Sequence, residues 1–183
     1  LYSLTHSFTS KTHNALTPSL ALCLDIPYIP YLLLSQEFHN KSILFQAQSD
    51  YQSVLVFRSA QYGNVLVLDG VIQLTERDVF SYHEIMTHVP LCSHPHPERV
   101  LIVGGGDGGI LREVCRHETV TEICVVEIDR VVVDVCRRFF GTSTAVCFDD
   151  PRVRLIHADA AKFLRDGGGN ANDDDDGDSA NLH

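Results

Sequence analysis

A chain of 183 residues has room for one domain of ordinary size with an appendage, and not for two full domains. Its formal charge of −10, with only 14 Lys and Arg, excludes a phosphate-backbone partner, which needs clustered cations; an acidic surface favours cationic ligands. Five of the acids, Asp173, Asp174, Asp175, Asp176 and Asp178, sit in one tail, so the rest of the chain is only mildly acidic.

Residues 1–35 are left unassigned, as a poorly ordered lead-in. The first residue is Leu1 rather than Met, which reads as an incomplete or processed N-terminus. Residues 1–24 are rich in Ser and Thr and free of acids, as organellar transit peptides are, but hold a single Lys11 and no Arg, so the cytoplasm is the expected compartment and organellar import stays open. The apolar run from Leu20 to Leu34 is broken by Asp25, Pro27 and Pro30 and is too short to span a bilayer.

From 36 to 75 the pattern is strand-like: Ser42 to Gln48, Val54 to Arg58, Asn64 to Leu68 and Val71 to Leu74, with short polar breaks. Asp69-Gly70 is a hairpin signal, because a two-residue turn needs positive φ. These runs predict a small antiparallel sheet. Thr75 followed three residues on by Asp78 reads as a capping box, opening a helix on which Val79, Tyr82, His83 and Met86 recur at helical spacing. Pro90 should end that helix, leaving Leu91 to Glu98 as a linker.

Beyond the linker, 99–165 alternates strand and helix: strand Arg99 to Val103, helix Ile110 to His117, strand Glu122 to Val126, helix Arg130 to Phe140, strand Arg152 to Ile156. Apolar strands without alternation imply a parallel sheet covered on both faces, hence an α/β chain: an antiparallel β-domain followed by a truncated Rossmann-like sheet. Ligands of such sheets bind at the C-terminal ends of the strands. Residues 166–183, rich in Gly, Asn and Asp, bury too little to fold and read as a disordered acidic tail. The six cysteines lack the close spacing of zinc or redox motifs and read as reduced thiols; His94-Pro-His96 reads as a surface loop, and no metal site is expected.

Gly104-Gly105-Gly106-Asp107-Gly108-Gly109 fits Gly-x-Gly-x-x-Gly between a strand and a helix, where a nucleotide-binding turn must lie, although a tight turn alone would also use it. Asp107 selects among ligands: a carboxylate in the loop repels a pyrophosphate and favours a cation, such as a sulfonium nucleoside bearing an amine, over a nicotinamide dinucleotide. Glu127, at the end of the second strand, stands where an acid accepts from both ribose hydroxyls. Asp129 suits the same ligand or a helix cap. Asp159 ends the third strand, where a carboxylate can accept from an adenine amino group; for each of these acids a helix N-cap is the plainer alternative. Gln52, Gln73, Tyr82 and His83 are polar residues on otherwise apolar elements, a pattern that an amphipathic border also produces.

The runs Tyr62 to Gln73, Thr75 to Asp78, Phe80 to Glu84, Pro90 to Pro95 and Val100 to Glu113 closely resemble the spermidine synthases of the polyamine aminopropyltransferase family, over roughly Ser42 to Leu164. The resemblance implies transfer of an aminopropyl group from decarboxylated S-adenosylmethionine, a co-substrate, to putrescine, with no cofactor, no nucleic acid, no membrane and a homodimeric full-length protein. Carried over by position, Gln52, Asp107, Glu127, Asp159 and Ala160 hold the donor together with Gly104, Gly105, Gly106 and Gly108. Tyr82 and His83 line the polyamine path, with Gln73 a lesser candidate. The family's base belongs to an Asp-Ser-Ser-Asp-Pro-like motif that is not in this sequence, so no catalytic residue is assigned and the chain alone is expected to be inactive. Spermine synthase, putrescine N-methyltransferase and a non-catalytic dimerisation or binding fragment are the alternatives.

Overall fold

The computed structural model describes residues 3–5 and 42–167. The expectations for the rest of the lead-in and for the tail from 168 onward lie outside the described residues. Four strands, β2 (Ser42–Gln48), β3 (Ser53–Ser59), β4 (Gly63–Leu68) and β5 (Val71–Thr75), form an antiparallel sheet in chain order. The β4–β5 turn has positive φ at both Asp69 (49°) and Gly70 (77°), the handedness that matches strand twist in a two-residue hairpin. One residue further on the register jumps: Leu66 pairs with Leu74 but Val67 with Ile72, so Gln73 is the extra residue of a bulge.

Val54, Val56, Leu66 and Leu74 turn one face of this sheet into the main core, which continues through Ile102, Leu111, Val114, Ile123, Val125, Val133 and Phe140. Phe57, Val65 and Val67, of opposite parity, cluster on the other face. The antiparallel sheet is therefore built against the second unit, which lets groups on its loops reach that unit's strand ends.

Helix α1 (Val79–Ser93) corrects two expectations. It runs through Pro90 rather than ending before it. The proline lacks the N–H for one intrahelical bond, yet buried Leu91 anchors the last turn, which Ser93 Oγ→Val89 O (2.7 Å) and His94 N→Pro90 O (3.1 Å) close. Nor is Thr75 the cap: it ends β5 and gives its hydroxyl to Asp78, which takes the cap position without a capping hydrogen bond of its own.

The parallel sheet has the order β1-β6-β7-β8, with β1 (Ser3–Thr5) at its edge and β6 (Arg99–Val103), β7 (Glu122–Glu127) and β8 (Val153–His157) joined through α2 (Gly109–Cys115) and α3 (Arg130–Phe140), and α4 (Ala160–Arg165) following β8. The outer partner of β6 is the short β1 (Ser3–Thr5), which was not expected from the lead-in. On the sheet face away from the main core, Leu101, Val103, Cys124 and Val126 pack under Ala160 and Phe163 of α4.

A polar clasp joins α1 to α2. Glu113, almost wholly buried, takes Arg112 at 2.8 Å and Arg116 at 2.7 Å, and His88 approaches it at 3.4 Å. His88 Nδ1 meets His117 Nε2 at 2.8 Å. Burial lowers the His117 pKa, as do the neighbouring charges of His88 and Arg116. The described cysteines, Cys92, Cys115, Cys124, Cys136 and Cys147, are free thiols, as expected.

Candidate functional site

The turn after β6 carries the expected glycines to the C-terminal edge of the parallel sheet. Gly104 N is held by Val126 O at 2.9 Å, which ties the turn to the end of β7. Gly106 sits so close to Glu127 that a Cβ there would stand 3.0 Å from Oε2, and Gly108 has φ 75° with the Ala145 backbone beneath it. Both positions need glycine, one for approach and one for backbone conformation.

Glu127, 7% exposed, is the centre of the arrangement. Oε2 accepts from Gly106 N and Oε1 from Asp129 N, each at 3.0 Å, so both oxygens are fixed and each keeps a lone pair for another donor. Burial raises its pKa, against the pull of these two backbone bonds. Such a carboxylate matches two adjacent hydroxyls.

Asp129 caps α3 by accepting from Val131 N at 3.0 Å, the plainer of its two sequence readings. Its other oxygen takes Ser49 Oγ at 2.7 Å and Gln52 Nε2 at 2.9 Å. Gln52 thus reaches the site from the antiparallel sheet, through Asp129. Ser49 was missed from the sequence; the hint is its position three residues before Gln52, where its hydroxyl accepts from Gln52 N at 3.1 Å and shapes the turn.

Asp159 caps α4, with Oδ1 accepting from Ala161 N (2.7 Å) and Lys162 N (3.2 Å), and buried Ala160 follows. β8 pairs with β7 so that His157 lies opposite Glu127, two residues before Asp159, which brings the two acids to the same sheet edge. Asp107 receives Gly109 N on Oδ1 at 2.7 Å, and its Oδ2 lies 3.5 Å from His83 Nε2. Tyr82 stands beside His83, ring centroids 5.7 Å apart, and its pKa is raised by burial first and by the charge of Asp107 second. The structure therefore gathers Gln52, Tyr82, His83, the glycine turn, Asp107, Glu127, Asp159 and Ala160 around one edge. Gln73 is exposed on its bulge.

A cavity of about 570 Å³ lies elsewhere, at the N-terminal ends of the same strands, lined by Arg99, Glu122, Cys124, Arg154 and Phe163. It has volume but none of the acids above. Those acids gather instead at the C-terminal edge, the end of a parallel sheet where ligands generally bind. No group of three or more potential metal ligands occurs among the described residues, and none of their helices is long and apolar enough to cross a membrane.

Two family models match this chain: a spermine/spermidine synthase domain over residues 79–171 and a spermidine synthase tetramerisation domain over residues 34–76. Spermidine synthase 2 of Arabidopsis thaliana is 58% identical over 125 residues, covering 68% of this chain and 36% of that protein. Spermidine synthase 2 of Hyoscyamus niger is 57% identical, with 68% and 40% covered. The crystal structure of spermidine synthase from Thermotoga maritima superposes with a TM-score of 0.66 at 41% identity, covering 68% of this chain and 43% of that one. A spermidine synthase in complex with the transition-state analogue AdoDATO matches equally well. The chain thus spans well under half the length of these relatives.

Proposed function

The chain belongs to the spermine/spermidine synthase family, and from that premise we propose that its site binds decarboxylated S-adenosylmethionine for aminopropyl transfer to putrescine. The carrying observation is Glu127, a buried carboxylate with one backbone N–H on each oxygen, lying against the glycine turn that carries a second acid, Asp107. On this reading Glu127 takes the ribose hydroxyls, and Asp159 with Ala160 takes the adenine edge. Gln52 closes over the nucleoside from the antiparallel sheet, and Asp107 receives the donor's cationic aminopropyl arm. Tyr82 and His83 flank the entry of the amine.

The reaction is a displacement. The acceptor's neutral amine forms a C–N bond to the propyl carbon beside sulfur, and the C–S electron pair returns to sulfur. Uncharged methylthioadenosine leaves, and the new ammonium gives up a proton. Holding two cations in line, and keeping the attacking amine deprotonated, supplies the acceleration. As proposed, the donor is consumed as co-substrate and no resident cofactor is called on. Residues 1–183 contain nothing like the Asp-Ser-Ser-Asp-Pro motif, so the 183-residue polypeptide is proposed to bind donor without turning it over. We also propose self-association through the antiparallel sheet, since the matching family model is named for tetramerisation, and a cytoplasmic setting.

The test is methylthioadenosine release from decarboxylated S-adenosylmethionine and putrescine. A longer product carrying residues 1–183 is expected to be active, and residues 1–183 alone to be inactive. Release of S-adenosylhomocysteine from S-adenosylmethionine would replace the proposal with a methyltransferase, and methylthioadenosine release with spermidine as the preferred acceptor would replace it with a spermine synthase.

A further inference from the structure

Two of the described cysteines meet. Cys115 closes α2, and Cys147 lies between exposed Val146 and buried Phe148 in the segment that leads from α3 to β8; both thiols are half-buried. The Cys115 thiol makes hydrogen-bonding contact with the Cys147 thiol and with the Asp150 carboxylate. One guanidinium pins the backbone on either side. Arg152 Nη2 donates to Cys115 O at 2.7 Å and to Asp150 Oδ2 at 2.8 Å, and Asp150 N donates to Cys147 O at 3.1 Å, closing the turn that carries the second thiol. Arg152 Nη1 also donates to His117 O at 3.2 Å and Val120 O at 3.0 Å, so the chain leaving α2 is gathered on the same side chain. Two thiols can be bridged only where their backbones are already held together, and this clasp holds them.

The same segment runs beneath the glycine turn. A Cβ at Gly108 would stand 2.8 Å from Ala145 Cα and 2.9 Å from the Phe148 ring, and Arg112 Nη1, on α2, donates to Ser143 O at 2.6 Å. Ser143 and Ala145 thus fasten the segment near the start of α2, and the contact between Cys115 and Cys147 fastens it at the other end. Cys124 and Cys136 are buried, out of reach of an external oxidant, and Cys92 is exposed in the last turn of α1.

We propose that Cys115 and Cys147 are a redox-sensitive thiol pair, closing to an intramolecular disulfide that staples α2 to the segment beneath the glycine turn. The oxidant is a low-molecular-weight disulfide of the glutathione class. Burial, and then the neighbouring Cys147, push the Cys115 thiol up, so Cys115 keeps its proton and Cys147 attacks first. The Cys147 sulfur forms a mixed disulfide and expels one external thiolate, which takes up the proton that Cys147 has lost. Cys115 then attacks the Cys147 sulfur and expels the second external thiolate, which takes up the proton from Cys115. Two protein thiols are oxidised and one external disulfide is reduced to two thiols. The staple acts on the scaffold, whatever ligand the turn above it holds.

The test is to incubate the folded full chain with oxidised glutathione, alkylate the remaining thiols, digest with trypsin without reduction and weigh the peptides. The peptide Glu113–Arg116 is expected joined to Phe139–Arg152, two hydrogens lighter than the sum of the two. The Tm should rise by about 5–10 °C on oxidation and return with dithiothreitol, since the bridge closes a loop of about 30 residues. C115S should trap glutathione on Cys147 as a mixed disulfide, and C147S should leave Cys115 unmodified; C115A and C147A guard against a folding failure of either. Recovery of Cys115 and Cys147 as alkylated thiols, or a stable glutathione adduct on Cys147 in the unaltered chain, would overturn the pair. A glutathione adduct on Cys115 in C147S would overturn the order of attack, and an unmoved Tm with the cross-link in place would overturn the staple.

Discussion

Replacing Glu127 with Gln changes one atom and disturbs two contacts. Both carboxylate oxygens receive a backbone N–H at 3.0 Å, from Gly106 and from Asp129. An amide has one oxygen, so its NH2 must point at one of those N–H groups and leave a buried donor unpaired, at about 1–3 kcal/mol. The substitution also removes the charge from the bond to a ribose hydroxyl, and hydrogen bonds to charged groups contribute about 1.5–3 kcal/mol. The first cost falls on the free chain as well, so the binding loss is the second, about 2 kcal/mol, corresponding to about 30-fold weaker binding. Stability carries the unpaired donor, but not in full. Burial raises the Glu127 pKa, so its ionised form costs folding free energy once the pH exceeds the unfolded-state value, and losing the charge offsets part of the clash. Calorimetry on E127Q is therefore expected to give the same loss for decarboxylated S-adenosylmethionine and methylthioadenosine, which share the ribose, with a small change in Tm. A Kd within about threefold of the unaltered chain would refute the assignment; so would a loss confined to the cationic ligand.

Gly106→Ala inserts a Cβ 3.0 Å from both Glu127 Oε2 and Val132 Cγ1, so the turn must shift; donor affinity should fall about tenfold, read by the same titration. Ser49→Ala removes the 2.7 Å bond to Asp129 and the hydroxyl that shapes the Gln52 turn, and urea denaturation should show a loss of about 1 kcal/mol. Burial of His117, with the neighbouring His88 adding to it, makes stability fall with acid. His117 has a folded pKa below its unfolded value, so its contribution is full above about pH 6.5 and is lost as the pH falls through that value toward the folded one. Urea midpoints should therefore drop between about pH 7.5 and about pH 5.5, and the drop should be smaller in H117Q.

Local chemistry made most of the fold legible. Asp69-Gly70 can be read as a tight hairpin because positive φ selects its residues, and β6, β7 and α3 because their apolar runs are buried as their patterns require. Glu127 and Asp107 were legible for a related reason: a strand end and a glycine turn are positions that sequence order fixes. The helix running through Pro90 was not, because its last turn is held by Leu91 in a core that no local window shows. The Ser49 bond to Asp129 spans 80 residues and joins two sheets, so only the tertiary fold reveals it. The bulge that leaves Gln73 exposed depends on register, which alternation alone does not specify.

The central claim is that the C-terminal edge of the parallel sheet is an adenosyl site. A crystal structure of the chain with methylthioadenosine tests it most directly. The account predicts both ribose hydroxyls on Glu127, the adenine amino group at Asp159 and the thioether directed toward Asp107. Ligand bound in the cavity between Arg99 and Arg154, or at the sheet edge with its ribose away from Glu127, would contradict it.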